Sequence, residues 1–396
     1  MSDPWLTIIG ITENGLTDLG DASRRALAAA QVIFGGPRHL RLAGAGDRGR
    51  PWPVPFDISP VVALRGQRVA VLASGDPFWF GAGGSLAAAL QPGEWRALPA
   101  PGVLSLAAAR LGWRIETCAT LGLHAAPFTR LRPHLARGCR VIAALRDGGA
   151  PAELAVWLTA EGAGAMRMTV LERLGGPAER VRQTVAAEFT LHDVAAPVAV
   201  ALNGADLPRG WGLAAVPGRD DDLFAHRGQI TKSPVRALSL AALQPRSGAL
   251  LWDIGGGSGS ISVEWALAGG RAICLEPRAD RLDLIRTNLD HFGVADRVTL
   301  HQGAAPQALA ELPEPDAVFV GGGASAALFD ALWPALPPGA RLVANAVTLE
   351  SEALLADLHA RRGGDLTRIE IARAAPLGTM RGWQPARPVV QWAVSR

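Results

Sequence analysis

The stretch LLWDIGGGSGSIS at 250–262 constrains the fold more than any other part of this chain. A short apolar run ends in Asp253 and a glycine-rich turn, Gly255, Gly256, Gly257, Ser258, Gly259, and an amphipathic segment then starts at Ile261. The order is strand, tight turn, helix. Glycines let backbone approach a ligand closely, and a helix N-terminus presents unpaired N–H groups. A nucleotide-like cofactor is the expected guest.

The spacing narrows the cofactor. A dinucleotide fingerprint has Gly-x-Gly-x-x-Gly. Gly255 and Gly257 fit it, but Ser260 holds the third place, and the turn reads Gly-x-Gly-x-Gly through Gly259. Glu276 closes the next apolar run, 272–275, about 20 residues on, where a carboxylate accepts from ribose hydroxyls. Together these features resemble the S-adenosylmethionine (SAM) site of Rossmann-like methyltransferases. That resemblance makes Asp253, Gly255, Gly257, Gly259, Ser260 and Glu276 cofactor-binding candidates, with Thr231 in the lead-in and Gly303 and Ala304 after the third strand.

The pattern around the motif alternates. Strands are expected over 250–254, 271–275, 298–302, 317–320 and 341–345. Helices are expected over 260–268, 278–292, 324–336 and 350–361, with a short one near 306–312. Such alternation gives a mainly parallel sheet covered on both faces, with ligands at the carboxyl ends of its strands. Two late apolar segments, 366–372 and 389–394, are expected to pair as a hairpin at the sheet edge. A helix over 234–243 precedes the first strand.

The first half is also α/β but on another plan. Strands are expected at 6–11, 69–73, 141–145 and 198–202, and helices at 18–31 and 103–111. The Gly-, Pro-, Arg- and Asp-rich stretch 204–222 reads as a linker, dividing the chain into domains 1–210 and 211–396.

Composition excludes several classes. The net charge of +3 is too small to argue for nucleic acid, and no basic stripe interleaved with aromatics is present. No apolar stretch approaches the about 20 residues of a membrane span, and the opening sequence has no signal-peptide pattern. Three scattered cysteines read as reduced thiols, so a cytoplasmic protein is expected. All 39 Lys and Arg are arginine except Lys232, which reads as a coding bias that is also compatible with a polyacidic substrate. No histidine lies in a two-ligand helical motif, so no metal is expected.

A second signal lies in the first half: SGDPFWFG at 74–81, then Pro101-Gly102-Val103-Leu104-Ser105. It resembles the tetrapyrrole methylases, a different fold that also uses SAM. The segments VIFGGPRHL at 32–40 and LERLGGP at 171–177, and the pair Leu123-His124, are similar to the same branch. The opening loop departs from the family's Gly-x-Gly-Pro-Gly, because Thr12 and Glu13 stand where Gly and Pro are expected. Phe80 replaces a common Tyr and Leu104 a common Ser. After the third strand of the second half, Gly303-Ala304-Ala305 replaces a common Gly-Asp-Ala. The resemblance implies Gly10, Gly75, Asp76, Phe80 and Ser105 as cofactor contacts and His124 as a candidate beside the substrate.

The pairing of these two halves resembles the fused methyltransferases of the cobalamin pathway. It implies an α/β chain with an N-terminal tetrapyrrole-methylase-like domain and a C-terminal Rossmann-like domain, one SAM in each. The implied reaction methylates the C5 and C15 meso carbons of a reduced precorrin and removes carbon dioxide from the ring C acetate. A homo-oligomer is implied as well. Methyl transfer to an electron-rich carbon needs positioning more than a side-chain nucleophile. In the second half His226, Arg227, Lys232 and Arg236 are candidates beside the substrate. Gly321, Gly322, Gly323, Asn345 and Thr348 are further candidates at strand ends. A nucleic-acid or protein methyltransferase and a chain with one silent half are the competing expectations.

Overall fold

The computed structural model describes residues 4–396. These form two compact units: the first runs to Phe128 and resumes over His134–Trp211, and the second comprises Thr129–Pro133 and Gly212–Arg396.

Ten strands build the first unit: β1 (Leu6–Ile11), β2 (Val32–Gly35), β3 (Gly49–Pro51), β4 (Val69–Ser74), β5 (Trp95–Leu98), β6 (Ala119–Leu123), β7 (Arg140–Leu145), β8 (Arg167–Glu172), β9 (Arg180–Val185) and β10 (Val198–Asn203). The first five make an all-parallel sheet in the order β3-β2-β4-β1-β5. Its interior strand β1 is buried along its whole length because both faces are covered. Ile9 and Ile11 pack with Leu72 into one core, and Leu6 and Ile8 with Val71 into the other. The remaining strands form a mixed sheet, β6-β7-β10-β8-β9, parallel only between β6 and β7.

The expected helix over 18–31 is divided. A 3-10 turn at Gly15–Asp18 precedes a helix at Asp21–Ala29, with Gly20 in an extended conformation between them. Leu19, Leu27 and Ala30 still point inward.

The second unit has one seven-stranded sheet, drawn from β11 (Leu250–Ile254), β12 (Arg271–Leu275), β13 (Val298–His301), β14 (Ala317–Val320), β15 (Arg341–Ala346), β16 (Asp365–Ile369) and β19 (Val389–Ser395). A separate antiparallel hairpin is made of β17 (Ala372–Leu377) and β18 (Met380–Pro385). The sheet order is β13-β12-β11-β14-β15-β19-β16. The first five strands are parallel, and β19 alone runs the other way, antiparallel to both β15 and β16. Leu251 packs on one face, and Trp252 and Ile254 on the other.

Two expectations need correction here. The helix Ser260–Leu267 is not amphipathic: Ser260 to Ala266 are all buried, its polar side chains included. The segments around 366–372 and 389–394 do pair antiparallel, but β19 inserts between β15 and β16, so only β16 is at the edge. The tight hairpin is instead β17–β18, which the chain makes between them.

Candidate active sites

The strand order of the second unit reverses between β11 and β14, and a parallel sheet opens a crevice at such a point. A cavity of about 870 Å³ lies there. The glycine turn that follows β11 forms part of its wall, fixed by the N–H groups of Gly255 and Gly256, which both donate to the Leu275 carbonyl at 3.0 Å. Gly257 N–H donates to Glu276 Oε2 at 2.9 Å, and Arg278 N–H to Oε1 at 3.1 Å. Arg281 lies 3.6 Å from the same carboxylate. Glu276 is thereby held rigid on the cavity wall, with lone pairs left to accept from a ligand.

Asp253 has a different job. Its Oδ2 accepts from the backbone N–H and hydroxyl of Ser262 at 3.2 and 2.6 Å, tying the strand end to the helix Ser260–Leu267. Burial pushes its carboxyl up to about 6, with Glu276 adding to the rise and the Ser262 hydrogen bonds opposing it. Burial also raises the neighbouring Cys274 thiol well above its ordinary value. Asp253 itself is 1% exposed but reaches the cavity lining.

Thr231, Lys232, Ser260, Gly303 and Ala304 also line this cavity, as do Gly321, Gly322, Gly323 and Asn345. Lys232 pairs with Asp221 at 3.4 Å while more than half exposed. Asn345 is engaged from behind, donating to Ser239 Oγ at 2.9 Å and accepting from Gln391 at 2.9 Å.

Other candidates lie off the lining. Gly259 is the left-handed residue before the helix and packs against Ile285. His226 Nδ1 accepts from the Gly228 N–H at 3.0 Å, closing its own loop. Arg227 is exposed and faces Asp280 at 3.6 Å. Thr348 caps the helix Leu349–Arg362.

Arg236 is completely buried. Its Nε donates to Glu264 at 2.9 Å and its Nη1 to Asp221 at 3.1 Å, and its guanidinium stacks on Phe224 at 4.6 Å. Glu264, on the helix that follows the glycine turn, also accepts from the N–H groups of Gly218 and Arg219 at 2.7 and 3.0 Å. Arg236 therefore secures the lead-in segment that carries Thr231 and Lys232, and, fully buried and off the cavity lining, it is not presented to a substrate.

Sequence reasoning missed one part of the wall: Arg373, Gln384 and Arg387, on and just beyond the β17–β18 hairpin. The available signal was Gly378 between the apolar residues Leu377 and Met380, a turn marker at hairpin spacing. Pro376 and Pro385 obscure it, because proline breaks a strand pattern.

The first unit has its own cavity of about 470 Å³, lined by Gly75, Asp76, Phe80, Ser105 and His124. Gly10 stands behind it: a Cβ there would run into the Gly75 carbonyl and Ala100 N. Asp76 Oδ1 accepts from Phe78 N–H at 2.9 Å and shapes the loop after β4. Phe80 holds a positive φ of 52° and meets His124 edge-on, centroids 5.5 Å apart. Such a backbone is unusual for an aromatic residue and marks a constrained position.

The departed loop is held by polar ties. Thr12 Oγ1 donates to Asp18 at 2.7 Å, and Glu13 pairs with Arg38. Arg38 also donates to Ser74 Oγ at 2.8 Å. Burial, then the nearby Arg38, lowers His39 to about 4, so it is neutral at pH 7.

Among the described residues no group of three or more His, Cys, Asp or Glu side chains is arranged to hold a metal ion, and no helix is long and apolar enough to cross a membrane.

Comparison with known proteins gives two family matches. Residues 6–190 match the tetrapyrrole (corrin/porphyrin) methylases, and residues 222–396 match the precorrin methyltransferase domain. The chain is 50% identical over 402 aligned residues to a Sinorhizobium protein named precorrin-6Y C(5,15)-methyltransferase [decarboxylating], covering 98% of this chain and 96% of that one. A Mycobacterium tuberculosis protein of the same name is 38% identical over 402 aligned residues, with 99% and 100% covered. A crystal structure of the C-terminal domain of precorrin-6Y C5,15-methyltransferase from Rhodobacter capsulatus is 65% identical, covering 46% of this chain and all of that one at a TM-score of 0.46.

Proposed function

The chain belongs to the family of decarboxylating precorrin-6Y C(5,15)-methyltransferases, and from that premise we propose how its two halves divide the work. The N-terminal half, 1–210, methylates C5. The C-terminal half, 211–396, methylates C15 and removes carbon dioxide from the ring C acetate, giving precorrin-8. One SAM binds in each half. The observation that carries this reading is the presence of two separate cavities, one at the carboxyl ends of strands in each unit.

The residues present suit SAM in the second cavity. The glycine turn leaves backbone open to a ligand, and Glu276 is pre-oriented to accept from ribose hydroxyls. Gly255, Gly257 and Ser260 would face the amino-acid portion, and Gly303 and Ala304 would meet the adenine edge through backbone alone. In the first cavity Gly75, Asp76, Phe80 and Ser105 serve the same end. Bound SAM supplies a methyl electrophile on a sulfonium. The protein's task is to hold the acceptor carbon in line and exclude water.

Decarboxylation breaks the bond between the acetate methylene and its carboxylate. The electron pair passes into the conjugated macrocycle, a proton is later added to that carbon, and carbon dioxide leaves. An arginine on the departing carboxylate would stabilise the ground state and oppose the step. The neutral surface at Gly321, Gly322, Asn345 and Val347 suits this acetate. Lys232 remains a candidate beside the substrate here and His124 in the first cavity, whereas His226 and Arg227 would have to leave their present partners.

Three free cysteines fit a cytoplasmic setting. The exposed Leu377, Met380 and Trp383 offer apolar area that a homo-oligomer would cover.

The test is mass spectrometry of reduced precorrin-6 incubated anaerobically with the full chain and SAM. Gain of two methyl groups with loss of one carbon dioxide supports the reading. A single methyl with carbon dioxide loss means a silent N-terminal half, and no change removes the tetrapyrrole assignment.

A further inference from the structure

Most arginines around the C-terminal cavity already have anionic partners. Arg281 faces Glu276, Arg278 faces Asp280, and Arg236 is enclosed by Glu264 and Asp221. Arg373 and Arg387 differ. Both line the cavity, both are exposed, and neither has a carboxylate or hydrogen-bond partner among the described residues.

Their placement follows from hairpin register. Arg373 on β17 stands directly opposite Gln384 on β18, so the two side chains share one face of the hairpin. Side chains alternate along a strand, so Arg381 and Trp383 belong to the other face, and neither lines the cavity. Arg387 follows two residues after the end of β18, on the return to the main sheet. The cavity is thus bordered by two uncompensated guanidinium groups and one amide. Its wall beside them is apolar, formed by Ile369, Ile371 and Val389.

We propose that Arg373 and Arg387, with Gln384 between them, bind peripheral carboxylates of the tetrapyrrole that the C-terminal half methylates. This deepens the function proposed above and rests on it. A reduced tetrapyrrole presents an apolar ring edged by acetate and propionate groups. The apolar wall suits the ring, and the two forks suit its carboxylates. SAM is zwitterionic at its amino-acid end and carries only one carboxylate, so it does not call for two further cations. Two further unpaired cations imply a second, more acidic ligand. These residues would select the substrate and set its position. They are not expected to touch the reacting carbons.

The experiment compares the full chain with R373Q, R387Q and the control R381Q. Binding of reduced precorrin-6 is read anaerobically by tryptophan quenching without SAM, and initial rates are then measured with SAM. The expected result is roughly tenfold weaker precorrin binding and a similarly raised KM for R373Q and for R387Q. Their kcat and SAM affinity should stay within about twofold, and R381Q should match the parent chain. The precorrin affinity of R373Q and R387Q should also lose part of its salt dependence. Unchanged precorrin affinity in both variants overturns the proposal while leaving the methyltransferase reading intact. A parent chain that binds SAM but no precorrin overturns both. Weakened SAM binding with unchanged precorrin binding reassigns the two arginines to the cofactor and also overturns the proposal.

Discussion

Gly255 and Gly322 meet backbone to backbone where the parallel sheet reverses its order, and a Cβ on Gly255 would lie 3.0 Å from the Gly322 carbonyl oxygen. The two turns that close the crevice after β11 and β14 are therefore in contact. Gly255 also has a φ of +75°, which alanine adopts at a cost of about 1–2 kcal/mol. G255A is expected to lose about that much stability and to weaken SAM binding at the C-terminal site at least tenfold. Isothermal titration calorimetry on the full chain should then show one weakened site and one unchanged.

Glu276 gives a finer probe of the same site. Its two oxygens are aligned by the N–H groups of Gly257 and Arg278. E276Q replaces one acceptor with a donor and removes the charge that faces Arg281. Roughly tenfold weaker SAM binding at the C-terminal site is expected, with the N-terminal site unaffected. Equal affinity in E276Q and the parent chain would exclude Glu276 from ribose recognition.

Asp253 sets a pH dependence with a definite sign. Its folded value, about 6, lies above the ordinary 3.8. The folded state therefore holds this proton more tightly than the unfolded state. The penalty for ionising the buried carboxyl is absent below pH 3.8 and complete above about pH 6. At 1.36 kcal/mol per pH unit the penalty is about 3 kcal/mol. D253N cannot ionise, so its stability relative to the parent chain should rise between pH 4 and pH 6.5 and then level off. Urea unfolding across that range checks this. A difference independent of pH would contradict it.

Arg236 and Glu264 form a buried pair that fastens the lead-in segment to the helix after the glycine turn. Removing one partner breaks a buried ion pair, which costs about 3–5 kcal/mol. R236M is expected to lose that much in urea unfolding. R236M/E264M should lose less than the two single variants together, because the two facing buried charges are removed as a pair. A strictly additive double variant would mean that the pair is not coupled.

Much of this fold was legible in the sequence, for a physical reason. Strands buried on both faces read as continuous apolar runs, so β1, β11, β12 and β14 fall where the sequence put them. The glycine turn and Glu276 were legible because tight backbone geometry restricts residue choice. Three features were not. Arg236 carries a charge and reads as a candidate beside the substrate, whereas it is buried as a structural residue. Its burial depends on Glu264, distant in sequence, on a helix whose polar side chains are also buried. The break at Gly20 was hidden inside a run otherwise suited to a helix. The β17–β18 hairpin stands off the main sheet with most of its residues exposed, so no apolar alternation marks it. That hairpin brings Arg373 and Gln384 to the cavity, which is why the sequence did not disclose them.

The central claim is that two separate sites in one chain each transfer a methyl group. Gly75 offers the most direct test. Its φ is +53°, and a Cβ there would lie 2.5 Å from Gly102 Cα, inside the N-terminal cavity wall. The measurement is the mass of the product that G75A forms from reduced precorrin-6 and SAM, with folding checked by circular dichroism. The expected product has gained one methyl and lost one carbon dioxide. A product carrying both methyl groups, or no methylation at all, would contradict two independent sites.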